Sequence, residues 1–437
     1  MAARKLVPID KPVDVRLELP GSKSFANRAI VCAALTQQPC VIENLSPADD
    51  TALMLNVLVD LGWRVTRASP LSTQIKLDPP RVPIAGPQET RIYTGAAGTV
   101  SRFAAAMLTV LPGRFLLDGN ERMRERPMGE LVNALRALGA VIEERGKPGC
   151  LPLGIEGASL RGGKVTMRGD VSSQFLSAVL MVGPARAGGV SISIEGELVS
   201  KPYADITIAV MRAFGFAVSR DGYRSFRALE ATSQGGLEGR GPYVCPPDGT
   251  AASYFWAAAA VTGGRCVINN LTRQDVQGDV AFVDALERMG CSVLEFPDGL
   301  GVDASGVALR AVDSDLSGLP DCAQTLAVVC AFASGTSRLT GLRTLRVKET
   351  DRIAALQAEL AKLGVVTRAG PDWLEVDGVG DKTTKQKRSP TIHTYDDHRM
   401  AMSFAVAGLR VPLSIEDPEC VAKSFPTFWD YWARIEA

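Results

Sequence analysis

The sequence has no excess of charge of either sign, because its 48 lysines and arginines are balanced by 48 aspartates and glutamates. General binders of nucleic acid or of anionic membrane surfaces carry a basic excess, so neither partner is expected here. No apolar run approaches the roughly 18 residues that a membrane-spanning helix needs. The composition therefore indicates a globular protein in which any anion must be bound by a local cluster of cations.

Metal-binding and disulfide patterns are also missing. The sequence has only two histidines, His393 and His398, and its nine cysteines form no CxxC pair, so no structural metal site is expected. An odd number of scattered cysteines, with no signal-peptide pattern, indicates a reducing compartment, and we expect a cytoplasmic protein. Most of the cysteines lie in apolar surroundings and are predicted to be small core residues.

The strongest positive feature is an internal repeat of about 75 residues. Alanine-rich helical patterns, each followed by a strand pattern such as CVIENL or VSISIEG, begin near Lys23, Gly98, Ser173, Asp248, Asp321 and Asp397. A second helical pattern in five repeats ends at a glycine, which suits the left-handed residue that stops a helix. These glycines are Gly62, Gly139, Gly215, Gly290 and Gly364.

The repeats predict an α/β protein of six units, each made of a helix, a strand, a second helix and further strands. The sixth unit is incomplete, and the N-terminal stretch that contains KLVPI and DVRLEL is expected to supply its missing strands. Six units divide into two domains of three, predicted as residues 22–240 and as residues 1–21 with 241–437. The chain is expected to cross between them near Gly21 and in the glycine-rich stretch Gly235–Tyr243, a predicted hinge.

Cations recur at predicted helix starts, where the positive end of the helix dipole makes them unfavourable by about 0.3–1 kcal/mol each. They are Lys23 with Arg28 one turn later, Arg102, Lys201, Lys348 with Arg352 on one predicted helix, and Arg399 after Asp397. An ion pair or a solvated side chain explains any single member of this set. Their recurrence at equivalent places in the repeat favours anion binding where the helix starts converge.

The same residues carry a resemblance to a known family. The segments LPGSKSFANRA, AGTVSRF, RMRERPMG, DVSSQFL, LVSKPYADIT, RVKETDRI, YDDHRMAM and AKSFPTFW closely resemble, in this order, the EPSP synthase (3-phosphoshikimate 1-carboxyvinyltransferase) family. The resemblance implies the enolpyruvyl transferase fold, an inside-out α/β barrel, with two similar domains of three βαβαββ units around a pseudo-threefold axis. It also implies a monomer that needs no cofactor.

The resemblance implies that the enolpyruvyl group of phosphoenolpyruvate is transferred to the 5-hydroxyl of shikimate 3-phosphate. Asp321 then matches the proton acceptor at the hydroxyl, Glu349 the proton donor to C3, and Lys423 a cation near the transferred group. Lys23 is implied to contact both substrates. The implied shikimate 3-phosphate contacts are Lys23, Ser24, Arg28, Ser172, Ser173, Gln174, Ser200, Tyr203, Asp321, Thr344 and Lys348. The implied phosphoenolpyruvate contacts are Lys23, Gly98, Arg126, Gln174, Arg352, Arg399 and Lys423.

The residues alone leave plainer interpretations open. Asp321 is equally an ordinary helix N-cap, and Glu349 with Arg352 a surface ion pair. The sequence also departs from the family, because Ala96 and Thr344 stand where asparagine is usual or frequent. Gly98 resembles the glyphosate-sensitive form of the family.

Two other functions remain as alternatives. The related UDP-N-acetylglucosamine enolpyruvyl transferases usually carry a cysteine in an active loop, and the corresponding stretch GNERMRERPMG has none. A six-unit ring such as a DNA sliding clamp presents basic helix faces to DNA, whereas the repeated helices here are largely apolar.

Overall fold

The computed structural model describes residues 3–69, 72–81, 88–231, 241–380 and 389–436. The chain forms two compact units, one of Gly21–Pro246 and one of Met1–Pro20 with Pro247–Ala437. We call them the central unit and the terminal unit. The predicted boundary at residue 240, and all but the end of the predicted hinge Gly235–Tyr243, lie outside the described residues.

The described residues contain thirteen α-helices. They are α1 Lys23–Thr36, α2 Asp49–Asp60, α3 Gly98–Leu108, α4 Glu121–Glu125, α5 Gly129–Ala137, α6 Ser173–Val182, α7 Lys201–Ala213, α8 Gly249–Thr262, α9 Phe282–Arg288, α10 Ala323–Ala331, α11 Arg352–Lys362, α12 His398–Gly408 and α13 Phe428–Glu436. The first helix of each repeat, namely α1, α3, α6, α8, α10 and α12, begins within two residues of its predicted start.

The strands of the described residues are short. They are β1 Arg4–Leu6, β2 Asp14–Leu17, β3 Cys40–Glu43, β4 Arg64–Arg67, β5 Ile75–Asp78, β6 Glu89–Tyr93, β7 Arg114–Asp118, β8 Val141–Glu144, β9 Leu153–Glu156, β10 Gly163–Arg168, β11 Val190–Glu195, β12 Val218–Asp221, β13 Ser225–Ala228, β14 Tyr243–Val244, β15 Arg265–Asn269, β16 Ser292–Phe296, β17 Gly299–Asp303, β18 Asp313–Asp315, β19 Ser334–Thr340, β20 Val366–Ala369, β21 Leu374–Val379, β22 Thr391–Ile392 and β23 Leu413–Ile415.

The sheets confirm the βαβαββ unit. In the second repeat, the order β6-β7-β9-β8 joins a parallel pair on either side of α3 to an antiparallel hairpin that follows α5. The same order recurs in β10-β11-β13-β12, β14-β3-β5-β4, β2-β15-β17-β16 and β18-β19-β21-β20. The sixth repeat has the three-stranded sheet β1-β23-β22.

The N-terminal strands go to two different repeats. The first, β1, pairs antiparallel with β23 and completes the sixth sheet, as expected. The second, β2, pairs parallel with β15 of the fourth repeat, so the expectation that both strands serve the sixth repeat was wrong. The reason lies in the topology: β14 takes the edge beside β3, and β2 takes the edge that the fourth repeat leaves open.

Each unit has its own hydrophobic core, built around the first helices of its repeats. In α8, every residue from Gly249 to Val261 is buried, which requires an apolar side chain all round the helix rather than one stripe. The amphipathic sheets pack outside these helices with alternating burial, as in the pattern of β7. Eight of the nine cysteines are buried and Cys420 is partly buried, which confirms their prediction as core residues.

The ends of the second helices explain the repeated glycines. Gly62, Gly139, Gly215, Gly290 and Gly364 all have positive φ, between 73° and 114°. At Gly62, the N–H donates to the carbonyl of Val59 and closes the last turn before β4 begins. Among the described helices, none is long and apolar enough to cross a membrane.

Candidate active site

In the terminal unit, the predicted residues lie at the starts of helices. Asp321 is on the 3-10 helix Pro320–Cys322 before α10, and Arg352 is the first residue of α11. Arg399 is the second residue of α12, and Lys423 ends the 3-10 helix Pro418–Lys423. The fold therefore brings together side chains that are up to about 100 residues apart in the sequence.

Arg352 is the centre of this cluster. Its side chain is 2% exposed, and its Nε lies 2.7 Å from Asp397 Oδ2. Its two terminal nitrogens lie 3.2 Å from Asp321 Oδ1 and 2.9 Å from Glu349 Oε2. Burial lowers the pKa of Arg352, but the three carboxylates outweigh it and raise that pKa above its usual value. Arg352 therefore stays charged, and its guanidinium fixes both predicted proton-transfer carboxylates.

Asp321 is surrounded by cations. Its Oδ2 lies 2.7 Å from a terminal nitrogen of Arg399, and its Oδ1 lies 3.6 Å from Lys348 Nζ. Burial lowers the pKa of Lys348, an effect that Asp321 partly opposes. Together with Arg352, these cations place three positive charges around the carboxylate that is predicted to accept the proton.

Glu349 lies between two cations. Besides its contact with Arg352, its Oε1 is 3.0 Å from Lys423 Nζ. Its side chain is 14% exposed, so a proton can reach it. Thr344 lies on the 3-10 helix Arg343–Val347 and is half-buried.

One prediction about this region was wrong. Lys348 and Glu349 do not share a helix with Arg352, because they lie in a bend before α11. The carboxylate of Asp351 accepts the N–H groups of Ile353 and Ala354 at 3.1 Å each and starts the helix there. The bend leaves the backbone of residues 348–350 non-helical, and Glu349 still reaches the Arg352 guanidinium.

In the central unit, the predicted serines lie at two helix starts. Ser172 is the N-cap of α6, and its hydroxyl accepts the N–H of Gln174 at 3.3 Å. Ser173 is the first residue of that helix and is buried. Ser200 precedes α7 with φ of 54°, and its hydroxyl makes no capping hydrogen bond. Such starts present N–H groups and hydroxyls to an anion.

Lys23 and Ser24 are the first two residues of α1, and at this helix start the side chain of Lys23 and the backbone of Ser24 both contact other protein groups. Lys23 Nζ lies 3.0 Å from Asp50 Oδ2, and both side chains are largely buried. The backbone carbonyl of Ser24 accepts a hydrogen bond from Arg28 at 2.8 Å. Sequence reasoning missed Asp50, whose only signal was its position in the first turn of α2.

Arg28 is buried to 1% exposure, and the protein itself holds its guanidinium. It donates to the hydroxyls of Thr207 at 2.7 Å and Ser177 at 3.2 Å, and to the carbonyl of Tyr203 at 3.3 Å. Burial lowers its pKa to about 10. Arg28 therefore packs against α7, next to Tyr203.

Gly98 and Arg126 are in direct contact. A Cβ atom added at Gly98, the first residue of α3, would lie 2.7 Å from Arg126 Cζ. Arg126 Nη1 donates to the carbonyl of Ala96 at 3.1 Å, so the residue that replaces the usual asparagine takes part through its backbone. The Nε of Arg126 is buried and has no hydrogen-bond partner among the described residues.

Arg102 and Asp397 complete the two clusters. Arg102 donates to Gln174 Oε1 at 2.5 Å, and the amide of Gln174 donates to Thr99 at 3.1 Å. The sequence pattern indicates Arg102 as a cation at a helix start, and the implied substrate contacts do not include it, although it binds the implied contact Gln174. Asp397 is the N-cap of α12: its carboxylate accepts the N–H of Arg399 at 2.9 Å and also binds Arg352.

Comparisons with known proteins show the family to which the chain is similar. The family model described as EPSP synthase (3-phosphoshikimate 1-carboxyvinyltransferase) matches residues 7–432. A 3-phosphoshikimate 1-carboxyvinyltransferase of Laribacter hongkongensis is 43% identical over 426 residues, and one of Cellvibrio japonicus is 42% identical over 421 residues. Each alignment covers 96% of this chain and 96% of the relative. A solved structure of EPSP synthase from Acinetobacter baumannii superposes with a TM-score of 0.80 at 25% identity and covers all of this chain and 98% of that one.

Proposed function

Because the chain belongs to the EPSP synthase (3-phosphoshikimate 1-carboxyvinyltransferase) family, we propose that it transfers the enolpyruvyl group of phosphoenolpyruvate to the 5-hydroxyl of shikimate 3-phosphate. The products are 5-enolpyruvylshikimate 3-phosphate and inorganic phosphate. The observation that carries the proposal is the pair of carboxylates Asp321 and Glu349, which both bind the buried Arg352. Three further cations contact this pair, namely Lys348, Arg399 and Lys423.

The first chemical step needs one group that accepts a proton and one that donates a proton. The 5-hydroxyl oxygen forms a bond to C2 of phosphoenolpyruvate, and Asp321 accepts the hydroxyl proton. The C2–C3 double bond takes up a proton at C3 from Glu349, which leaves a tetrahedral intermediate. General acid and base groups of this kind contribute roughly 10²–10⁴-fold each.

The second step reverses the proton transfer at C3. C3 returns its proton, the C2–C3 double bond reforms, and the bond from C2 to the phosphate oxygen breaks. Arg352, Arg399 and Lys423 are proposed to bind the carboxylate and phosphate charges of phosphoenolpyruvate, and guanidinium forks suit both groups. Lys423, already beside Glu349, is proposed to stabilise the departing phosphate.

The central unit is proposed to bind through its helix starts. Ser172, Ser173 and Ser200 are proposed to hold the phosphate of shikimate 3-phosphate, with Gln174 and Tyr203 as further contacts of this unit. Lys348, which belongs to the terminal unit, is proposed as a further contact of the same substrate. Lys23, Ser24, Arg28 and Thr344 keep the roles that the resemblance implies. The proposed partner of Arg28 is the carboxylate of shikimate 3-phosphate, in addition to the protein acceptors that already contact all three guanidinium nitrogens.

The family also supports small-molecule substrates rather than macromolecular partners. We propose a cytoplasmic monomer that binds neither nucleic acid nor membranes. The zero net charge of the sequence supports the last part of this proposal, because binders of nucleic acid and anionic membranes carry a basic excess. No group of three or more histidine, cysteine, aspartate or glutamate side chains in the described residues is placed to hold a metal ion.

The test is phosphate release from phosphoenolpyruvate by the purified chain with different acceptors. We expect release with shikimate 3-phosphate and none with UDP-N-acetylglucosamine. Release with the nucleotide sugar alone would assign the chain to the other enolpyruvyl transferase activity. Absence of release with either acceptor would refute the proposal.

Replacing Gly98 with alanine should weaken phosphoenolpyruvate binding. The new methyl group would sit 2.7 Å from Arg126 Cζ, closer than real Cβ contacts, so the guanidinium must shift. Loss of one charged hydrogen bond to substrate predicts a rise of roughly tenfold or more in KM for phosphoenolpyruvate, measured by steady-state kinetics. Gly318→Ala is the control, because a Cβ there meets no atom within 4 Å, and it should leave KM unchanged. An unchanged KM in Gly98→Ala would separate Arg126 from phosphoenolpyruvate binding.

A further inference from the structure

A second buried carboxyl group contacts Cys322, the residue that follows Asp321 in the chain. Asp279, on the 3-10 helix Gly278–Ala281, is 6% exposed. The amide of Gln277 fixes this helix against α8, because it accepts the N–H of Gly249 at 2.9 Å and donates to the carbonyl of Pro247 at 2.8 Å. The short helix that carries Asp279 is therefore fixed against the start of α8.

Asp279 is linked to Asp321 through one residue. The thiol of Cys322, which follows Asp321 in the chain, donates to Asp279 Oδ1 at 3.2 Å. Cys322 is fully buried, and burial, together with the neighbouring Asp279, raises its thiol pKa well above the usual value. Cys322 therefore remains a thiol and a donor, and it ties the Asp279 carboxyl to the segment that positions Asp321.

The charges around Asp279 come from each element packed near it. Cys322 contacts it directly. The charged groups that act on it are Asp321, which precedes α10, Asp248, the N-cap of α8, and Arg399 of α12. Burial, then Asp321 and Asp248, raise the pKa of Asp279 to about 7, and Arg399 opposes the rise. Asp279 is thus neutral in mildly acidic solution and becomes negative as the pH rises through neutrality.

We propose that Asp279 is a positioning residue that acts through Arg399. By holding or releasing its carboxyl proton, Asp279 sets the net charge that Arg399 and its neighbours present to phosphoenolpyruvate. When Asp279 is protonated, Asp321 is the carboxylate in contact with Arg399, at 2.7 Å, and the cluster attracts an anionic substrate. When Asp279 is ionised, a second buried negative charge offsets Arg399 and repels the substrate. This inference rests on the proposed function, because it concerns how that substrate is bound.

The role predicts an effect on KM rather than on kcat, because Asp279 is not in the set proposed to touch the reacting atoms. Asp279→Asn keeps the acceptor for the Cys322 thiol and removes the charge at every pH. At pH 6 both proteins are neutral at this position, and their KM values for phosphoenolpyruvate should agree. At pH 8.5 the wild-type KM should be roughly three to ten times that of Asp279→Asn, with kcat changed less than about twofold.

The ratio of the two KM values is the decisive readout. The substrate phosphates titrate near pH ~6, and Lys348 titrates below its usual range, but both affect wild type and variant alike and cancel in the ratio. The control is Asp298→Asn, a carboxylate of the same unit that is 68% exposed, and its ratio to wild type should be one at each pH.

Three outcomes would overturn the proposal. One is a ratio that does not change with pH, and another is a ratio that changes equally in Asp298→Asn. The third needs wild type alone: a KM for phosphoenolpyruvate that stays flat between pH 7 and 8.5, where Asp279 loses its proton, excludes a titrating carboxyl here even if the variant fails to fold. Such a failure is not expected, because removing an ionised buried carboxylate should stabilise the protein at pH 8.5. A wild-type protein without phosphate release would refute the proposed function instead.

Discussion

Glu349→Gln is expected to lose roughly 10²–10⁴-fold in kcat while the protein remains folded. Glutamine keeps the shape of the side chain and a carbonyl oxygen that can accept from Arg352, now 2.9 Å from Glu349 Oε2. It cannot donate a proton as a carboxylic acid, so protonation of C3 would lose its source. Phosphate release under saturating substrates measures the loss, and circular dichroism with thermal unfolding checks the fold.

The matched control is Glu416→Gln in the same unit. Glu416 has a side chain that is 51% exposed and lies beside His393, away from the Arg352 cluster. Its replacement should change kcat by less than about twofold, since exposed pairs contribute little. Full activity in a folded Glu349→Gln protein would remove Glu349 from the mechanism, and equal losses in both variants would point to a general effect on the fold.

The architecture was predictable because the sequence pattern of each βαβαββ unit repeats at a regular interval. Each first helix is largely apolar because most of its residues are buried, as in α8. Each second helix must stop where a residue can take positive φ, as at Gly62. These are local requirements that recur about every 75 residues. The destination of β2 was not predictable in this way, because strand pairing over 250 residues depends on which sheet edge the finished fold leaves open.

The cations of the candidate site were predictable from the sequence, but the acidic residues that contact them were not. Lys23 and Arg399 can be recognised in the sequence because a cation at a helix start is locally unfavourable. The acid that compensates Lys23 is Asp50, which comes from another helix, and Asp279 carries no local signal of its own. Carboxylates near helix starts are common as caps, so only the three-dimensional contacts show which of them face a functional cation.

Arg352→Met is expected to destabilise the terminal unit by about 3–5 kcal/mol and to abolish turnover. The side chain of Asp397 is wholly buried, and its described contacts would be reduced to the N–H of Arg399 and to His398, 3.9 Å away. Asp321 would keep Arg399 and Lys348, so the main cost is the buried charge of Asp397. Urea unfolding at pH 8 measures the destabilisation.

Two measurements test whether the loss of stability in Arg352→Met comes from buried charge: its dependence on pH, and a comparison with a matched variant. Acidic solution lets the abandoned carboxylates take up protons, so the stability difference between Arg352→Met and wild type should shrink between pH 8 and pH 5.5. Arg368→Met removes an arginine that also binds two carboxylates, Glu375 and Asp377, but its side chain is 48% exposed and water can replace it. That variant should lose no more than about 1 kcal/mol, with little dependence on pH. Equal losses in the two variants would contradict the argument, because they would show that burial of Arg352 and its carboxylates does not set the energetics of this cluster.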